Sequence, residues 1–239
     1  MSLVLEKAIK LIDLVAADIR LQRDIAGAAG LPRSTTHRLL TTLVKHNYLA
    51  VDGHRFALGY RLLELGEMKK RSFDYLDILH PIISRYAELV GDTVHLAVLD
   101  DRDIVLLDAV RGRRELQINS YRGLRNTAFM TAVGKVLIGQ LPERSWKSFI
   151  GAVPPGYRKT EQEILQDFRR AQRHNVAVDM DECSIGTCGI ASSFPAGKDR
   201  RLACSINGAT VYFDPDRMKE LETTVRDLAT TLQQAMERY

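Results

Sequence analysis

The chain has only three cysteines, Cys183, Cys188 and Cys204, in 239 residues. They are too few and too late for a disulfide framework and read as free thiols of a reducing compartment. No apolar run approaches the ~20 residues that a membrane helix requires. Glu6 and Asp13 fall early, and no signal-peptide apolar stretch precedes them, so a cytoplasmic protein with no membrane partner is expected. No Gly-x-Ser-x-Gly elbow, phosphate loop or His-Glu-x-x-His segment is present. The spacing of Cys183 and Cys188, with His174 nearby, matches no standard zinc pattern, so neither metal nor cofactor is expected. A thiol enzyme built on Cys183 and Cys188 remains as an alternative, but Cys183 follows Asp181-Glu182, which disfavours a thiolate. Repeats and low-complexity segments are also lacking.

What is present is an ordinary soluble balance, 45% hydrophobic and 27% charged, with an uneven distribution of sign. Residues 1–70 hold 11 Lys/Arg against 7 Asp/Glu, whereas residues 71–239 hold 23 of each. The whole excess of +4 therefore lies in the first third, beside His37, His46 and His54. That asymmetry points toward a polyanion there, although a solvated surface has the same look.

Leu5, Ala8, Ile9, Ile12 and Ala16 recur at helical spacing over 3–17. A second helix is expected over 21–29, stopped by Gly30 in the left-handed C′ position. Pro32 prevents continuation, and Ser34 is expected to cap a third helix over 35–46. Tyr48–Val51, Asp52-Gly53 and His54–Leu58 read as strand, tight turn and strand. Helix, helix, turn, helix and hairpin form the order of a winged helix-turn-helix.

The third helix has an apolar side and a polar side, and a helix of this kind fits the major groove of DNA. Arg33, Ser34, Thr35, Thr36, His37, Arg38, Thr41, Thr42 and Lys45 are the candidate DNA contacts, with His54 and Arg55 at the wing. Thr36 also falls at the apolar spacing of Leu39, Leu40, Leu43 and Val44. A protein-docking surface is the competing reading of the same face.

Beyond a helical stretch at 60–70 and another at 73–90, strands are expected at 93–99, 103–110, 115–121, 188–194 and 201–208. Helices are expected at 131–140, 161–173 and 215–238. The fold class is α+β, an antiparallel sheet flanked by helices. The domains are expected at 1–66, with a linker helix region at 67–90 and a second domain at 91–239.

Gly30–Leu43, Phe56–Gly66, Gly91–Leu99, Thr131–Lys135 and Asp179–Gly186 together resemble, in order, the IclR family of bacterial regulators. The resemblance implies a GAF/PAS-like effector domain, a homodimer or homotetramer, and a double-stranded DNA operator. It further implies a small organic acid effector and either repression or activation of a catabolic operon. It places the effector site at Ala132, Val133, Asp179, Cys188, Gly189, Ser205 and Asn207, and Leu116 and Ile118 are expected to give it an apolar wall. The physical reading agrees, because amides at a helix start hold carboxylates. Ser205 and Asn207 share one face of a strand, and Asp179 can take a hydroxyl or hold a proton. Surface exposure of the Ser205 strand, a turn-capping Asp179 and a solvated or salt-bridging Lys135 are the plain alternatives. The chain departs from the family pattern at Thr127 and Ser193, where prolines are common, and at Gly189, where a pocket cysteine is common.

Overall fold

The computed structural model describes residues 3–71, 73–151, 153–198 and 200–239. The chain divides into two compact units between Asp74 and Tyr75. That division falls inside the 67–90 stretch read as linker, in which Ser72 lies outside the described residues.

The first unit runs α1 (Leu3–Ala16), α2 (Gln22–Ala29), α3 (Arg33–Lys45), β1 (Leu49–Asp52), β2 (Arg55–Leu58) and α4 (Tyr60–Arg71). Leu11 and Val15 of α1 close on Ile25, Leu40 and Leu49 to form its core. Gly30 adopts φ +69°, which turns Leu31 N–H back onto Ala26 O at 3.1 Å and ends α2. The next helix begins two residues earlier than its sequence suggests. Pro32 is its extended N-cap, and the first helical bond runs from Thr36 N–H to Pro32 O at 3.0 Å, so Ser34 lies inside the first turn rather than capping it. The hairpin register pairs Asp52 with Arg55, which leaves Gly53-His54 as the two-residue loop. Gly53 takes positive φ at the first loop position, as a glycine-first hairpin turn requires. Phe56 N–H reaches Arg20 O at 2.8 Å and ties the wing to the α1–α2 connection.

The second unit contains α5 (Tyr75–Val90), β3 (Thr93–Asp100), β4 (Asp103–Val110), β5 (Arg125–Thr127), α6 (Ala132–Gly139), α7 (Glu143–Ile150), α8 (Glu161–His174), β6 (Val176–Met180), β7 (Thr187–Pro195), β8 (Arg201–Ala209) and α9 (Pro215–Glu237). Among the described residues the strands form one antiparallel sheet in the order β5-β4-β3-β8-β7-β6. α5 and α9 pack on one face, where Cys204 Sγ approaches Val225 O of α9. The alternate residues Ala97, Ala177, Ala191 and Ala203 line the other face, where their small side chains admit the wholly buried α6. α8 then covers α6, with Trp146 of α7 packed edge-on against Phe168.

Three differences from the sequence expectation concern this unit. Residues 115–121 are irregular backbone rather than a strand, because the tie here is a side-chain bond and no strand ladder forms. The short β5 and β6 and the eight-residue α7 escaped the periodicity reading. Lys135 is salt-bridged, as one alternative has it, but fully buried rather than solvated, and it bonds Glu182 at 2.6 Å, Val178 O at 3.0 Å and Asp167 at 3.1 Å.

Candidate functional site

Two sites emerge, one in each unit. On α3, Arg33, Ser34, His37, Arg38, Thr41, Thr42 and Lys45 are exposed and Thr35 is half-buried. Thr36 is the exception. It has no exposed surface, and its hydroxyl donates to Pro32 O at 3.1 Å, so it belongs to the packing face and not to the DNA-facing set. Its spacing with Leu40 is the signal that places it inward.

Arg20, Arg23 and Arg61 are held by Asp18, Asp24 and Glu64. By contrast Arg33, Arg38, Lys45 and Arg55 have no ion-pair partner among the described residues, which leaves their charge available for phosphates. His54 and Arg55 are exposed at the hairpin. Sequence reading missed Gln22, whose Oε1 lies 3.3 Å from His37 Nδ1 and links the start of α2 to α3.

In the second unit a cavity of ≈ 270 Å³ opens beside the start of α6. Ile118, Ala132, Val133, Asp179, Cys188 and Asn207 all line it, as expected from sequence. Three expected residues do not. Leu116 is 56% exposed and stands outside the lining. Ser205 is buried behind the wall, where its Oγ accepts from Asn207 Nδ2 at 2.7 Å. Gly189 also lies behind Asn207, since a Cβ there would stand 2.5 Å from Asn207 Oδ1. Its lack of a side chain makes room for that amide.

Thr131 caps α6 by accepting Gly134 N–H at 3.0 Å. The helix offers Ala132 and Val133 N–H no acceptor of its own, so both amides and the positive end of the dipole are available to an anion. Gly134 is fixed by close approach, because a Cβ there would come within 2.0 Å of Ala128 O.

Opposite in charge, Asp179 Oδ1 accepts Glu182 N–H at 3.2 Å and Cys183 N–H at 3.3 Å. Burial pushes its carboxyl up to about 6, against the pull of Lys135. Asp179 is thus both a turn cap and a cavity group. Glu182, one face of that turn, is fixed from behind by Lys135, by Lys159 at 2.9 Å and by the Tyr157 hydroxyl at 2.5 Å.

His95, Ser120, Asn119, Asn126 and Thr187 also face the cavity and were missed by sequence reading. His95 sits on β3 inside an apolar-looking run, which hides a polar group from a periodicity argument. Among the lining residues there is no lysine or arginine. Burial raises the thiols of Cys183 to about 11 and Cys188 to about 12, with Asp179 adding to each. Both thiols are therefore protonated near neutrality and poor nucleophiles.

The departure at Ser193 has a local explanation. Its hydroxyl donates to Asn175 Oδ1 at 2.6 Å, and Asn175 is the left-handed residue that ends α8. A proline at 193 would lack this bond.

Comparison with known proteins gives a consistent result. The IclR helix-turn-helix domain model matches residues 4–53, and the model for the C-terminal domain of the bacterial transcriptional regulator IclR matches residues 70–234. The acetate operon repressor of Salmonella typhimurium is 28% identical over 212 residues, covering 84% of this chain and 77% of its own. The transcriptional repressor IclR of Escherichia coli is 27% identical over the same shares. Among solved structures, Thermotoga maritima IclR aligns with TM-score 0.73 at 22% identity, covering 97% of this chain and 98% of that one. An IclR homologue from Microbacterium hydrocarbonoxydans, complexed with 4-hydroxybenzoate, aligns with TM-score 0.79 at 19% identity, covering 99% and 100%.

Proposed function

The chain belongs to the IclR family of DNA-binding bacterial transcriptional regulators, and on that premise we propose that it is a repressor of a catabolic operon controlled by a small organic acid. The observation that carries the ligand half is the cavity wall formed by the first-turn amides of α6, Asp179 and Asn207. Amides at a helix start suit a carboxylate, and Asn207 and Asp179 suit its remaining oxygens. The 4-hydroxybenzoate bound by the Microbacterium homologue supports an acid of this size class. Two relatives that are themselves repressors support the sign of control.

For the DNA half, the exposed and unpaired cations of α3 and the wing support contact with a duplex, α3 lying in the major groove. Leu3, Val4, Leu5 and Ile9 leave an apolar stripe exposed on α1, which supports self-association into a dimer or tetramer. A two-fold dimer would read a palindromic operator, its half-sites about one DNA turn apart. Relatives that are regulators rather than enzymes, together with the protonated thiols, support a protein without catalysis that works in the cytoplasm. The ligand acts only through unequal affinity for the DNA-competent and DNA-incompetent arrangements.

A thermal-shift screen of small carboxylic acids, followed by operator binding with each hit, tests the reading. The expected result is a stabilising acid that also changes operator affinity. Double substitution of Ser205 and Asn207 by alanine is expected to abolish the thermal shift and leave DNA affinity intact. A full shift in that variant argues against this pocket.

A further inference from the structure

Besides the two thiols, the cavity lining contains two ionisable groups with different roles, Asp179 and His95. Asp179 belongs to the acid-binding wall already described, whereas His95 is not used by it. His95 is buried at 7% exposure on β3, and its side chain lines the cavity. A single hydrogen bond holds the ring, Nε2 to Ser120 Oγ at 2.8 Å. Nδ1 has no protein partner among the described residues. A ring nitrogen that the protein leaves free on a cavity wall is available to a polar group bound there.

Ser120 comes from the irregular 111–124 connection, which also supplies Ile118, Asn119 and Leu124 to the lining. Among the described residues the only side-chain tie of Ser120 is His95, so the pair joins the sheet to the segment that closes over the cavity. Burial lowers the His95 ring to about 4, overcoming the opposing effect of Asp108, and the imidazole is therefore neutral under ordinary conditions. Where Nε2–H donates to Ser120, Nδ1 presents a lone pair; where the Ser120 hydroxyl donates to Nε2, Nδ1–H is a donor. A hydroxyl answers either form of the neutral ring, donating to a bare Nδ1 or accepting from Nδ1–H.

We infer that His95, positioned by Ser120, is a second polar subsite that reads a hydroxyl group, so that the effector is a hydroxy acid rather than a simple apolar acid. This rests on the organic-acid reading of the same cavity. The acid end goes to α6, and the hydroxyl pairs with His95 Nδ1. Sites built to bond a hydroxyl discriminate strongly against the analogue that lacks it, because the site's own polar group is then left unpaired.

The test is calorimetric titration of the full-length protein with matched acids that differ by one hydroxyl: propanoate against lactate, and benzoate against 4-hydroxybenzoate. In the unmodified protein the hydroxylated member of at least one pair is expected to bind about tenfold tighter or better, the effect of one buried hydrogen bond. His95→Phe is expected to bring that ratio near unity while leaving the affinity for the unhydroxylated acid within about twofold. Ser120→Ala, which frees the ring without removing it, is expected to reduce the ratio less, and it serves as the second variant if His95→Phe does not fold. Equal binding within both pairs overturns the inference and leaves the acid pocket standing. Unchanged discrimination in His95→Phe, or in Ser120→Ala where only that variant folds, also overturns it. Binding of none of the four acids overturns the acid-pocket reading, and this inference with it.

Discussion

The side-chain amide of Asn207 occupies the space that a side chain at Gly189 would take: its Oδ1 lies 2.5 Å from the position of a Cβ there, and its Nδ2 bonds Ser205. Neighbouring strands β7 and β8 pair these residues directly. The absence of a side chain at 189 and the presence of an amide at 207 are therefore one arrangement.

Gly189→Ala follows from that relationship. The new methyl group forces the Asn207 amide aside, and the flexible end of one side chain is all that must move. Fold stability is expected to change by less than about 1 kcal/mol, within the range of ordinary substitutions. Affinity for the acid found by screening is expected to fall by about tenfold through loss of one oriented hydrogen bond. Titration calorimetry beside chemical denaturation separates the two; unaltered affinity would remove Asn207 from the site.

Lys135→Met tests the buried ion network. Its ammonium is fully enclosed and sits 2.6 Å from Glu182 and 3.1 Å from Asp167. Removing the cation leaves two enclosed carboxylates with Lys159 alone, and breaking such a buried pair costs about 3–5 kcal/mol. Trp146 is the only tryptophan and is buried in α7 of the same unit, so urea unfolding followed by its fluorescence reports the loss. A change under about 1 kcal/mol would mean that Lys159 alone neutralises the cluster.

These two cases also mark how far the sequence carries. Helical spacing made α1, α2, α3, α8 and α9 legible, and Gly30 and Asp52-Gly53 located a helix end and a hairpin. Asp179 and Ala132 were legible because motif order placed them, and Asn207 because the family resemblance and its alternation with Ser205 along one strand put it there. Lys135 was not, since a helical lysine is exposed unless distant acids bury it, and Glu182 and Asp167 reach it only after folding. His95 was hidden for the converse reason: its neighbours are apolar, and nothing local says that one strand face borders a cavity. The short β5, β6 and α7 are held by pairing and packing with remote segments, which no window along the chain contains.

On α3 the contrast between Thr36 and Arg38 provides a test of the recognition face. Arg38→Ala is expected to cost about 1–3 kcal/mol of specific operator binding, the worth of a bidentate base contact. Thr36→Val removes the buried bond to Pro32 O and is expected to lower stability by about 1 kcal/mol while leaving operator affinity unchanged. Gel-shift titration at one fixed salt concentration reads the first and thermal unfolding the second. Loss of DNA binding in a folded Thr36→Val protein, with none in Arg38→Ala, would invert the assignment of faces.

The last prediction concerns pH. Burial raises Asp179 from the usual 3.8 to about 6, so the folded chain retains a proton that the unfolded chain releases. Its contribution to stability is full below 3.8 and is lost as the pH rises through about 6. For ligand binding the sign is the same: an organic anion beside α6 meets an ionised Asp179 above about 6 and a neutral one below it. Where the anion binds only the protonated form, affinity falls by up to about tenfold for each pH unit above that point. Asp179→Asn keeps an oxygen to accept Glu182 and Cys183 N–H but cannot ionise. Its affinity for the acid is expected to be flat over the same range and its stability to decline less steeply. Equal pH slopes in the two proteins, measured by calorimetry across the titration of Asp179, would show that the ligand charge does not face this carboxyl.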